Sequence, residues 1–144
     1  MVNNEANHVK SVGRAASLLI TLAQEGRELS LTELSSKVNT PVSTVHRLLN
    51  TLMIYHLIEQ NQQNGKYRLG LAALRLGTAV LQQLDLRQEA LPFMQELAEI
   101  SGETVNLCVL DGHEVVYIEK VEGSSSLRIF ARIGHRAPVY CTGA

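Results

Sequence analysis

The chain is short of most features that mark an enzyme, a membrane protein or a secreted scaffold. Its two cysteines, Cys108 and Cys141, form neither a C-x-x-C pair nor a dense framework, so a disulfide-stapled fold and a thiolate zinc site are disfavoured and a reduced cytoplasm suits them. The five histidines, His8, His46, His56, His113 and His135, include no i, i+4 pair of the kind that holds zinc on a helix. No phosphate-cradling glycine loop is present. No apolar run approaches the roughly 20 residues that cross a bilayer. Residues 1–8 are polar, without the basic start and apolar core of a signal peptide. These absences predict a soluble cytoplasmic protein with no metal, no cofactor and no membrane partner.

What is present points to modest, separable units. With 144 residues and 45% hydrophobic composition, the length suits one ordinary domain or two small ones. The net charge of −1 is unevenly divided. Up to Arg75 the chain carries eight Lys/Arg against five Glu, a balance of +3, and beyond it five against nine, a balance of −4. A basic front and an acidic back imply different partners, and a polyanion fits the front.

In that front half, Val12, Ala15, Ala16, Leu19, Leu22 and Ala23 recur at helical spacing after Ser11, and Gly26 supplies a left-handed stop. Ser30-Leu31-Thr32-Glu33 has the S-x-x-E form of a capping box, opening a short second helix that buries Leu31, Leu34 and Val38. Asn39 tolerates the positive φ needed to leave that helix, Thr40 is placed to cap the next, and Pro41 suits its first turn. Two short helices meeting at a tight turn are a helix-turn-helix signature.

The third helix has two unlike faces. Val45, Leu48, Leu49 and Leu52 fall in one sector, while Ser43, Arg47 and Asn50 lie nearly opposite, flanked by Thr44, His46 and Thr51. Arginine pairs with guanine edges, asparagine with adenine, and hydroxyls hold phosphates, so the outer face has the chemistry of a major-groove reader. The same residue types also furnish an ordinary solvated face, and context separates the two. Leu57–Gln63 and Lys66–Leu69 flank Asn64-Gly65, a type I′ hairpin signal. A basic-tipped hairpin after the third helix makes a winged helix-turn-helix, with Lys66 and Arg68 placed to touch backbone phosphate. A winged helix that docks proteins instead of DNA is the competing reading.

Beyond the hairpin, Leu71 to Leu84 is apolar almost all round, with Leu74 and Leu81 one heptad apart and Ala73, Leu76, Val80 and Leu84 as a neighbouring stripe. Such a helix either packs wholly inside its own domain or zips against its twin in a dimer, and its place between two domains favours the second. A further helix from about Leu86 to Ser101 has Ala90, Phe93, Leu97 and Ile100 on its apolar face, with Pro92 kinking or restarting it and Gly102 closing it. Three strand-like runs follow, Thr104–Leu110, Glu114–Val121 and Leu127–Ile133, separated by turns at Asp111-Gly112 and Glu122–Ser126. A helix plus an antiparallel meander opens an α+β domain.

Cys108, Asp111 and His113 offer the residue types of a nucleophilic site. A tight turn sets residues 108 and 113 on opposite sides of a hairpin, however, with nothing to form an oxyanion hole. A strand cysteine beside a solvated turn is the plainer account, and no catalysis is expected. Arg128, Arg132 and Arg136, spaced by four, fit an anionic ligand and a solvent-facing strand end equally well.

Several runs together resemble the IclR family of bacterial transcriptional regulators: Leu31-Thr32-Glu33-Leu34, Pro41 to Leu49 and Gly65-Lys66-Tyr67-Arg68-Leu69-Gly70, then Ser101 to Leu107 and Ile133 to Tyr140. The resemblance implies a mostly α winged helix-turn-helix DNA-binding domain over 1–70, a linker and dimerisation helix over 71–84, and a partial α+β, GAF-like effector-binding domain over 85–144. It places Ser43, Thr44, His46 and Arg47 at recognition positions, which the helical reading extends with Asn50. It further implies a homodimer, or a dimer of dimers, on a palindromic double-stranded DNA operator. Such a protein represses a catabolic operon in response to a small organic acid or sugar-derived acid. The family's effector-binding domain runs on beyond a Thr-Gly-Ala segment such as Thr142-Gly143-Ala144, so only Ile129, Gly143 and Ala144 match its effector positions.

Overall fold

The structure, a computed structural model, describes residues 8–125 and 132–141. The chain forms two compact units, residues 1–78 and 79–144, each with its own secondary structure. The boundary falls within the helix expected as a linker.

The first unit contains α1 (Lys10–Glu25), α2 (Leu31–Lys37), α3 (Val42–Ile54) and a hairpin of β1 (Ile58–Gln60) and β2 (Tyr67–Leu69), followed by the start of α4 (Leu71–Gln82). Leu29, between α1 and α2, exchanges two backbone hydrogen bonds with Tyr67, at 2.9 and 2.7 Å, and so adds a third line to the hairpin. The core is a single cluster: Leu18 and Leu22 of α1, Leu29, Leu34 of α2, Val45, Leu49 and Leu52 of α3, Ile58 and Tyr67. Each fully buried leucine contributes about 1.5–3 kcal/mol relative to exposure, so this patch holds the three helices and the hairpin in one arrangement.

Several local signals act as expected. Gly26 ends α1 at φ 62°, its N–H donating to the Leu22 carbonyl at 3.2 Å. The Ser30/Glu33 capping box is complete: the Glu33 N–H donates to the Ser30 hydroxyl at 3.2 Å and the Ser30 N–H to the Glu33 carboxylate at 2.8 Å. Asn39 leaves α2 at φ 45°.

Others differ. Thr40 does not cap α3; its hydroxyl donates backwards to the Val38 carbonyl, and the N-cap is Pro41, whose carbonyl accepts from the Thr44 and Val45 N–H groups. On α1 the buried positions are Leu18 and Leu22, and Val12, Ala16 and Ala23 are exposed, because the core touches a narrower stripe than the apolar count implied. The wing turn is not a two-residue I′ turn. Asn61 N–H donates to the Lys66 carbonyl and Gly65 N–H to the Asn61 carbonyl, so residues 62–65 form a longer loop in which only Gly65 is left-handed, at φ 68°. At the hairpin's end Gly70 is required sterically: a Cβ there would collide with the carbonyl of His56, itself left-handed at φ 55°.

The second unit, after the last part of α4, contains α5 (Asp85–Ser101), β3 (Val105–Asp111), β4 (Glu114–Val121), β5 (Arg136–Pro138) and a short 3-10 turn (Val139–Cys141). The sheet order is β3-β4-β5, antiparallel throughout. Pro92 lies inside one continuous α5 rather than restarting it, and Gly102 closes the helix at φ 71°. The buried face of α5 is Met94 and Ala98; Phe93, Leu97 and Ile100 are exposed, a rotation from the expected face. The third strand also differs. Residues 126–131 lie outside the described residues, Ile133 and Gly134 form a turn with Gly134 at φ 84°, and the strand beside β4 is Arg136–Pro138, paired with Glu114–Val116. No helix among the described residues is long and apolar enough to cross a membrane.

Candidate nucleic-acid interface

Helix α3 is anchored on one side by Val45, Leu49 and Leu52, and this fixes what its other side shows. Ser43, His46, Arg47 and Asn50 are exposed and Thr44 is half-buried. None of these five side chains hydrogen-bonds or ion-pairs with another described residue. Between Glu33 and Glu59 the chain carries no carboxylate, and no described carboxylate forms an ion pair with Arg47. A free forked cation with amide, imidazole and hydroxyl groups on one convex helix can meet base edges and phosphates without first breaking internal bonds.

The hairpin divides the two basic wing residues. Lys66 is half-buried and its ammonium makes no ion pair with a described residue, whereas Arg68 is engaged: its Nη2 lies 3.2 Å from Glu59 Oε2 and its Nη1 3.5 Å from Glu28 Oε1. Lys66 thus has no described carboxylate to answer its charge, while Arg68 also braces β1 against the α1–α2 loop.

Glu28, in that loop, is a residue that the sequence reading passed over. Its carboxylate accepts from Asn61 Nδ2 at 3.1 Å on both oxygens and from Asn64 Nδ2 at 2.9 Å. Those two amides, with help from Arg68 and Lys66, hold its carboxyl below the usual carboxylate range. Nearby, Arg27 bridges Glu25 and Glu33, and Lys37 pairs with Glu25 at 2.6 Å. The Ser30 backbone N–H, then the Ser30 hydroxyl and Arg27, lower Glu33 to about 2.

In the second unit the matched effector positions, Ile129, Gly143 and Ala144, lie outside the described residues. Cys108 is a half-buried strand residue whose thiol is pushed up by burial, and Asp111 is bound to Arg136 at 2.8 Å rather than turned toward a nucleophile. Glu114 and Asp111 raise Arg136 in turn, so this arginine is committed internally. Among the described residues no cluster of three or more His, Cys, Asp or Glu forms a metal site.

Three helices around one leucine core, a carboxylate-free third helix and a following hairpin define the first unit as a winged helix-turn-helix, here joined to an α+β unit. The sequence matches the family model of the IclR helix-turn-helix domain over residues 11–62 and that of the bacterial transcriptional regulator IclR C-terminal region over residues 78–144. The chain belongs to the IclR family of bacterial transcriptional regulators. Over 134 residues it is 41% identical to the HTH-type transcriptional regulator XynR of Escherichia coli, covering 93% of this chain and 53% of that protein. An IclR family regulator from Brucella abortus has a similar structure, with TM-score 0.78 and 30% identity over 96% of this chain and 52% of the other. An IclR homologue from Microbacterium hydrocarbonoxydans, solved with 4-hydroxybenzoate, matches with TM-score 0.77 and 26% identity over 89% of this chain and 53% of the other. The chain thus spans about half the length of the relatives it matches.

Proposed function

We propose that this protein is a sequence-specific transcriptional regulator in the cytoplasm that represses a catabolic operon by binding a near-palindromic DNA operator as a homodimer. Each α3 enters a major groove with Arg47 and Asn50 toward base edges, Ser43, Thr44 and His46 toward bases and the adjacent backbone, and Lys66 on flanking phosphate. Two-fold DNA sites call for two-fold proteins, and α4, none of whose residues is buried, offers Leu71, Leu74, Leu76 and Val80 as the apolar surface for pairing. The second unit takes a small organic acid or sugar-derived acid, in keeping with the aromatic acid bound by one structural relative. The observation that carries the DNA reading is the unpaired, carboxylate-free outer face of α3.

Selection of bound duplexes from random DNA tests it. A two-fold symmetric consensus is expected, with binding that weakens steeply as salt rises because phosphate contacts release counterions. Binding indifferent to both sequence and salt would overturn the proposal and favour a protein-docking winged helix.

A further inference from the structure

The wing asparagines face two ways. Asn61 accepts the Gln63 N–H on Oδ1, and Asn64 accepts the Lys66 N–H on Oδ1, each at 2.9 Å, so their carbonyls fold the loop. Their amides both end on Glu28, which is 36 residues from Asn64 and 33 from Asn61 in sequence. Glu28 precedes Leu29, which is bonded to Tyr67 of β2, and Arg27 ties the same loop to Glu33 of α2. The carboxylate is therefore the link between the wing tip and the helix-turn-helix frame.

We infer that Glu28 is a positioning residue for DNA binding, clamping the 61–66 loop through Asn61 and Asn64 so that Lys66 is held at a fixed offset from α3. The inference rests on the DNA-binding reading above, and it makes an unusual prediction of sign. An acidic side chain beside a polyanion opposes binding, so removing a merely superficial Glu28 would tighten the complex. Removing a clamp would weaken it, because the ordering of the loop must then be supplied at the moment of binding.

The test uses the full chain and a duplex selected from random DNA by the wild-type protein. Glu28→Gln, which keeps the side-chain length but accepts fewer amides, is expected to weaken binding about fivefold. Asn64→Ala, which leaves the Glu28 charge in place, should act in the same direction. Lys66→Ala should lower the salt slope by about 0.9 in the wild-type background and by little in the Glu28→Gln background. Backbone 15N relaxation of Glu28→Gln should show residues 61–66 gaining fast motion while α3 stays rigid, a readout independent of DNA. Unchanged or tighter binding of Glu28→Gln, a full Lys66→Ala effect in that background, or an equally rigid loop would each overturn the inference. Failure of the wild-type chain itself to select any duplex would instead overturn the DNA reading, and the positioning role with it.

Discussion

Leu18, Leu34, Val45 and Leu49 of the first unit have no exposed surface, while α5 of the second buries only Met94 and Ala98 and leaves Phe93 72% and Ile100 77% exposed. Charge is arranged differently again. The first unit ties Arg27, Lys37 and Arg68 to carboxylates but leaves Arg47 and Lys66 without an ion pair to any described residue; in the second, Arg136 is held by Asp111 and Glu114, and Arg87 by the buried Glu119 at 2.7 Å. Arginine thus has two opposite uses, shown by Arg47 and Arg136. Free, it is a group awaiting an anion; between two carboxylates, it is a structural tie whose charge is already answered.

The largest effect that separates the units is expected from packing. Leu49→Ala should cost about 2 to 5 kcal/mol of stability, since it opens a cavity in a closed core. Leu97→Ala, on the open face of α5, should stay within about 0.5 kcal/mol. Denaturant unfolding of both variants checks this, and comparable losses would show that the outer face of α5 is covered in solution. Next is the arginine contrast. Arg47→Ala should weaken binding to a selected operator by about 1 to 3 kcal/mol and relax preference at one base position, while Arg136→Ala leaves operator affinity unaltered; fluorescence anisotropy measures both.

A smaller effect belongs to the capping box. Ser30→Ala removes the acceptor for the Glu33 N–H and should lower stability by about 1 kcal/mol, read as a shift of the urea midpoint. The smallest is the response to acid. Glu33 has a folded value lowered from 4.5 to about 2, so its contribution is fully present above the unfolded value and is lost as pH falls from about 4.5 through about 2. Melting curves across that range should slope downward toward acid, and Glu33→Gln should flatten part of the slope. A variant whose slope matches the wild type would show that other carboxylates carry it.

Much of the first unit was legible without coordinates because its signals are local. The Gly26 stop, the Ser30/Glu33 box, the exit at Asn39 and the apolar stripe of α3 each involve residues within one or two helical turns, where periodicity and capping chemistry decide the outcome. The faces of α1 and α5 were less legible, because composition shows which residues are apolar but not which neighbour will cover them. Leu18 and Met94 are buried, while Val12 and Phe93, as apolar in type, are exposed. The wing turn misled for a related reason: Asn64-Gly65 favours a tight turn locally, yet Asn64 is drawn to a carboxylate outside the hairpin and the loop lengthens around it.

The order of the helices, their caps and the polar, carboxylate-free character of the outer face of α3 were determined by the sequence itself, since they depend on spacings of a few residues. Which cations remain free was decided only by the tertiary structure. Arg68 and Lys66 are equivalent on paper, but Glu28 and Glu59 reach one guanidinium, and among the described residues no carboxylate pairs with the neighbouring ammonium. Charge pairing depends on distances of a few ångströms between groups remote in the chain, and only the folded arrangement of α1, α2 and the hairpin sets those distances.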